Sequence, residues 1–146
     1  NSVVDVLGRF LNMGVEAYQF VSALNCVLAQ RLVRTVCEDC KHPVTISNEV
    51  LQESAINPER INGRTIYEGA GCMECGGTGY KGRTAICELL DLTDDIREMI
   101  LDKRPTSEIK NAARLTGMRF LRESAVQQVL CGRTTLREIN KVTFIE

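Results

Sequence analysis

An α+β fold, mainly helical and carrying a metal-stapled insertion, is predicted by three features of the sequence. Apolar residues recur at helical spacing at both ends of the chain, two C-x-x-C pairs bracket its middle, and a nearly continuous apolar run follows the second pair. The 146 residues fall in the single-domain range and can bury most of a conventional core.

Ser2 followed by Asp5 reads as a capping box, and Val3, Leu7, Phe10 and Leu11 keep helical spacing until Gly14 offers a stop. From Glu16 to about Arg34, the stripe Ala17, Phe20, Val21, Leu24, Val27, Leu28 and Leu32 predicts a longer helix packed on a core. Ser47 can cap a short helix around Glu49 to Ala55, after which Asn57-Pro58 and Asn62-Gly63 mark turns and Arg64 to Glu68 reads as a short strand. Six glycines between Gly69 and Gly82 make that stretch a loop with several positive-φ positions. Thr84 to Leu92, broken mainly by Glu88, predicts a strand buried on both faces. Beyond it, Thr93, Thr106 and the Thr135/Glu138 capping box each open an amphipathic segment, and Gly117 and Gly132 each close one. Residues 93–146 are expected to form a bundle of about four short helices.

Composition excludes several function classes. A formal net charge of -1, with basic residues spread through both halves, gives no field to attract nucleic acid or an anionic membrane. With three Tyr, four Phe and no Trp, a stacking platform for single strands or sugars is not expected. Asn25, Gln30 and Arg31 interrupt the longest apolar stretches well short of the roughly 18 residues that a membrane span needs. No basic segment precedes an apolar one at Asn1, so no secretory signal is read, and a chain that lacks an initiating Met can be an excised piece.

Seven cysteines, an odd number, argue against a secreted disulfide framework and for a reducing compartment. Cys26, Cys87 and Cys131 stand alone in apolar contexts and are expected to behave as small buried hydrophobes. The other four form the pairs Cys37/Cys40 and Cys72/Cys75, which suit one structural zinc: each pair sets two thiolates on a tight turn, and two turns complete a tetrahedron. The 31 residues between Cys40 and Cys72 exceed the commonest zinc-ribbon spacing, so that loop is expected to carry structure of its own. The glycines after Cys75 can aim backbone N–H groups at sulfur. The alternatives are a redox dithiol, which needs one C-x-x-C at a helix start in a βαβ setting, and two structural disulfides, and neither setting is present. His42, the only histidine, is expected at the surface rather than on the metal.

Gly77-x-Gly79-x-x-Gly82 matches the dinucleotide fingerprint in letters, yet it leads into a strand rather than a helix. No G-x-x-x-x-G-K-[ST] occurs in the chain. Cys72 to Gly79 also matches one C-x-x-C-x-G-x-G repeat of the heat-shock co-chaperone zinc domain, a family that needs four; this supports zinc more than a chaperone.

Taken together, Leu28-Ala29-Gln30-Arg31-Leu32-Val33-Arg34, Cys37/Cys40, Gly71-Cys72-x-x-Cys75, Thr78-Gly79-Tyr80-Lys81-Gly82-Arg83, Glu88-Leu89-Leu90, Gly132-Arg133-Thr134-Thr135 and the closing Glu138 to Thr143 resemble the type II secretion and type IV pilus assembly ATPase family, in its tetracysteine branch. Members are hexameric cytoplasmic motors that hydrolyse ATP with magnesium and act on inner-membrane platform proteins, so the resemblance implies a protein at the inner membrane through its partners. It further implies the C-terminal piece of a RecA-like P-loop ATPase core. Residues 1–36 would complete that core together with a strand over 81–92, residues 37–80 would form an inserted zinc-binding subdomain, and residues 93–146 a terminal helical subdomain.

The family's P-loop, acidic boxes and histidine box precede the region that matches, with Asn1 similar to the residue just after the histidine box. No catalytic residue is therefore expected in this chain, which alone should be inactive. Gln30, Arg31 and Arg34 are the candidates for the outer edge of the nucleotide or a neighbouring subunit, against the plainer reading of a solvated helix face. Arg83 carries the same ambiguity. The competing class is a stand-alone zinc-ribbon-like module that binds protein or nucleic acid; the near-neutral charge and the lack of a basic, aromatic-studded face count against it.

Overall fold

The structure, a computed structural model, describes residues 2–143. Asn1 and the last three residues, 144–146, lie outside the described part. It mixes helix and sheet: seven α-helices accompany a two-stranded sheet β1-β4 and a two-stranded sheet β2-β3 among the described residues. The helices are α1 (Val3–Asn12), α2 (Ala17–Ala23), α3 (Asn48–Glu53), α4 (Asp94–Leu101), α5 (Thr106–Leu115), α6 (Leu121–Leu130) and α7 (Leu136–Val142). The strands are β1 (Cys26–Val36), β2 (Lys41–Val44), β3 (Ile66–Gly69) and β4 (Tyr80–Asp91). Among the described residues no helix is long and apolar enough to cross a membrane.

The chain divides into two compact units, one of Asn1–Gln30 with Cys87–Leu121 and one of Arg31–Ile86 with Arg122–Glu146. In the first, α1 starts at the expected capping box: Ser2 Oγ accepts the Asp5 N–H at 3.2 Å, and the Asp5 carboxylate accepts the Ser2 N–H at 2.8 Å. Val3, Val4 and Leu7 of α1 pack with Phe20, Val21, Leu90, Ile96, Ile100 and Ile109 into the core of this unit. Phe10 and Phe20 stack at 5.7 Å between centroids, and the Arg97 guanidinium donates to the Val21 carbonyl. Glu88 is a buried acceptor, 2% exposed. Its Oε1 takes the N–H of Val3 at 2.6 Å, a first-turn donor with no partner inside its own helix, and its Oε2 takes the N–H of Leu121 at 2.8 Å.

In the second unit, β2 and β3 form an antiparallel hairpin-like pair with Lys41 opposite Gly69 and Val44 opposite Ile66. Ser47 caps α3 as expected, its Oγ accepting the Val50 N–H at 3.4 Å. Thr135 caps α7 through the Glu138 N–H at 3.3 Å. Leu51, Ile56, Ile66, Ala125, Val126, Val129 and Ile139 are buried in this unit. Gly132, at φ +68°, lies against Tyr67, so that an added Cβ would meet the ring at 2.7 Å.

Four readings of the sequence are corrected. The helix expected from Glu16 to Arg34 ends at Ala23, and Cys26 onward is strand. The i, i+4 spacing of Leu28 and Leu32 is also an even spacing, so it fits one face of a strand equally well. Those two leucines are the outer face, 57% and 50% exposed, while Ala29 and Val33 turn inward. The run from Thr84 to Leu92 is a strand, but only one face is buried: Ile86, Glu88 and Leu90 point in and Leu89 is half exposed. The four helices after Thr93 form, yet α4 and α5 belong to the first unit and nearly all of α6 and all of α7 to the second. Lastly, the lone cysteines are not core residues, since Cys26 and Cys131 are exposed and Cys87 is half-buried. Cys26 opens β1 on its outer face, and Cys131 sits just beyond the end of α6.

Candidate metal centre

Each C-x-x-C pair sits on a turn that the sequence builds locally. Cys37 follows the last residue of β1, and its N–H donates to the Gly79 carbonyl at 3.0 Å; Cys40 precedes β2. Gly71, at φ +94°, leads into Cys72, after which Met73–Cys75 makes one turn of 3-10 helix that ends on Gly76 in the left-handed region. A close approach fixes the crossing of these loops. A Cβ on Gly69 would overlap the Gly79 carbonyl, and one on Gly79 would overlap the Gly69 carbonyl, so neither position accepts a side chain without moving backbone.

The result is a cluster of four sulfurs, all within 4.8 Å of one another. Sγ of Cys37 lies 3.9 Å from Sγ of Cys72, Cys40 3.9 Å from Cys75, and Cys72 3.7 Å from Cys75. Backbone N–H groups point at these sulfurs as the glycine pattern suggests: Gly71 donates to Cys40 at 3.3 Å, and Cys72 and Gly79 each donate to Cys75 at 3.2 Å. The electrostatics is uneven. The Cys72 N–H, with further donors, pulls the Cys75 thiol down to about 6, whereas burial pushes Cys37 up to about 12 and raises Cys40 as well. Without a cation such a site holds protons on its buried sulfurs; a metal ion displaces them and neutralises the thiolates. These four residues could therefore hold one metal ion.

Lys81 bridges the two turns on the outside, its Nζ 2.9 Å from Glu74, between the second pair, and 3.7 Å from Asp39, between the first. Both pairs are exposed and contribute little. Among the described residues the metal-ligand cluster is made of the four cysteines and not His42, which is exposed on β2 with Nδ1 3.4 Å from the Cys40 carbonyl. Gln30, Arg31 and Arg34 lie on β1, a strand and not a helix face. Arg34 is engaged: Nε donates to Glu138 Oε2 at 3.0 Å, Nη2 to Oε1 at 2.6 Å, and its guanidinium stacks over the Tyr80 ring at 4.2 Å. Arg83 is exposed in a shallow groove beside Thr35, Lys81 and Arg133. Sequence reasoning missed Glu138 and Tyr80 as partners of Arg34, because pairs so far apart in the chain leave no local pattern.

The comparisons agree with the reading of the motifs. The model of the family described as "Type II/IV secretion system protein" matches residues 1–141. The chain is 45% identical over 139 residues, 95% of its length, to the type IV pilus assembly ATPase PilB of Thermus thermophilus. It is 36% identical over 140 residues to the PilB of Myxococcus xanthus and 38% identical over 144 residues to the type II secretion system protein E of Dickeya dadantii. It spans only part of these relatives, 16%, 25% and 28% of their respective lengths. A match that runs through both cysteine pairs and nearly the whole chain places this protein in the type II/IV secretion system protein family.

Proposed function

We propose that the chain is the zinc-binding C-terminal portion of a hexameric motor ATPase that powers pilus or pseudopilus assembly. Family membership supports the motor, and one observation carries the metal: the four-sulfur cluster has the size of a zinc site. Sulfurs about 2.3 Å from a tetrahedral zinc lie about 3.8 Å apart; here Cys37–Cys72, Cys40–Cys75 and Cys72–Cys75 are separated by 3.9, 3.9 and 3.7 Å, and all four sulfurs lie within 4.8 Å of one another. Four thiolates with backbone N–H donors form the closed, ligand-saturated set of a structural zinc, with no position left for a reacting water.

On this reading residues 1–36 and 81–92 take part in a RecA-like core, 37–80 form the zinc subdomain, and 93–146 supply the four terminal helices. ATP and magnesium are held by residues outside the chain, with Gln30, Arg31 and Arg34 at most near the nucleotide's outer edge or a neighbouring subunit. The motor is cytoplasmic and meets the inner membrane through platform proteins, with no nucleic acid involved.

The gene upstream of the Asn1 codon, together with an assay of the polypeptide that it encodes, tests the proposal. A P-loop in the preceding few hundred residues and magnesium-dependent ATP hydrolysis by the longer polypeptide are expected, with none by the isolated chain. A polypeptide with bound zinc but no P-loop and no hydrolysis would overturn it and favour a stand-alone zinc module.

A further inference from the structure

We propose that Tyr80 and Arg34 carry metal occupancy to α7, so that filling the four-cysteine site and docking that helix are one linked equilibrium. The proposal rests on the metal reading above. It is drawn from a continuous set of contacts within the second unit. Cys75 Sγ accepts the N–H of Gly79, and the Gly79 carbonyl accepts the N–H of Cys37, so the residue just before Tyr80 is tied to both cysteine pairs. The Tyr80 hydroxyl lies 2.8 Å from Oγ1 of Thr135, the residue that caps α7. Its ring lies under the Arg34 guanidinium, which grips Glu138 in the first turn of α7.

The strand that delivers Cys37 is tied to the same helix start. The Val36 N–H donates to the Arg133 carbonyl at 2.9 Å, and Thr134 Oγ1 donates to the Arg34 carbonyl at 2.7 Å. Glu138, Thr134 and Thr135 are buried, so these bonds are shielded from water and lose most if the partners separate. An unanchored Gly79 frees Tyr80, and an undocked α7 frees the strand end that carries Cys37. Coupling of this kind is reciprocal: whatever zinc adds to docking, docking adds to zinc affinity by the same factor.

The test uses the full chain loaded with zinc, competed against a chromophoric chelator, with amide exchange on the same samples. Zinc stoichiometry comes first; a chain that binds no zinc refutes the metal reading itself, a failure distinct from loss of coupling. Given one zinc per chain, Glu138→Gln and Tyr80→Phe, neither a ligand, are expected to bind zinc about tenfold more weakly, within the ordinary range of coupling between sites. In wild type, chelation should release the amides of α7 along with those around the cysteines and spare α4 and α5. In Tyr80→Phe, whose ring still packs under Arg34, α7 should exchange faster with zinc still bound. Unchanged zinc affinity in both variants, or α7 protection indifferent to chelation, overturns the proposal. So does an equal loss of affinity in Thr93→Ala, which removes the cap of α4 in the other unit, because the effect would then be global destabilisation.

Discussion

Arg34 and Glu138, 104 residues apart, meet in a two-point bridge in which the carboxylate is almost wholly buried and the guanidinium is partly exposed. The bridge is also held by Lys141, whose Nζ lies 2.8 Å from Glu138 Oε1. The hydrogen bond from Arg34, the largest influence, holds the Glu138 carboxyl down to about 2, below its ordinary 4.5.

Glu138→Gln should therefore destabilise the second unit by about 2 kcal/mol, discounted for the exposure of Arg34. A carboxylate with a depressed pKa contributes its stability in full above its unfolded value and loses it only as pH falls toward the folded one. The difference between variant and wild type in urea unfolding should thus be equal at pH 7.5 and pH 6. A difference that decays between those two values would contradict the assignment.

Glu88 makes a second buried contribution in the other unit. Glu88→Leu strands the N–H groups of Val3 and Leu121 and should cost about 2 to 4 kcal/mol. Amide exchange should show α1 losing protection, while zinc stoichiometry stays at its wild-type value. Loss of zinc in this variant would mean that the two units do not fold separately.

Two glycines with the same backbone sign separate conformational cost from crowding. Gly63, at φ +74°, has nothing within 4 Å of an added Cβ, so Gly63→Ala should cost about 1 kcal/mol. Gly79, at φ +77°, faces the Gly69 carbonyl, so Gly79→Ala should cost more and reduce zinc retention, as read by metal analysis after gel filtration. Equal behaviour of the two variants would argue against the close crossing of the loops.

Cysteine substitutions should sort by position rather than by residue type. Cys72→Ser leaves three thiolates, so zinc should fall well below one per chain under mild chelation. Cys87→Ser, at a half-buried site on β4, should leave zinc unchanged and lower the free energy of unfolding by about 1 kcal/mol or less. Retained zinc in Cys72→Ser would remove that residue from the ligand set.

The parts of this molecule that follow local rules were legible in the sequence. The caps at Ser2, Ser47, Thr93 and Thr135 stand where their side chains predict, because each cap is made within three residues. The cysteine cluster was legible from spacing alone, since a tetrahedron of thiolates admits few arrangements of two turns. β1 was not, because an apolar repeat of four satisfies helix and strand alike, and only its pairing with β4 decides. Glu88 interrupts an apolar run with no local partner to explain it; it points inward because two helix-start N–H groups, supplied from far along the chain, need an acceptor there. The Arg34–Glu138 bridge follows the same logic, as neither residue has a sequence neighbour that announces the other.

What the four clustered sulfurs hold decides most directly whether this is a zinc-stapled chain. Elemental analysis of protein purified under reducing conditions, with reactive thiols counted before and after chelation, measures it. One zinc per chain and four additional reactive thiols upon chelation are predicted. Metal-free protein whose thiol count does not change, or the four cysteines paired in disulfides despite the reductant, would contradict it.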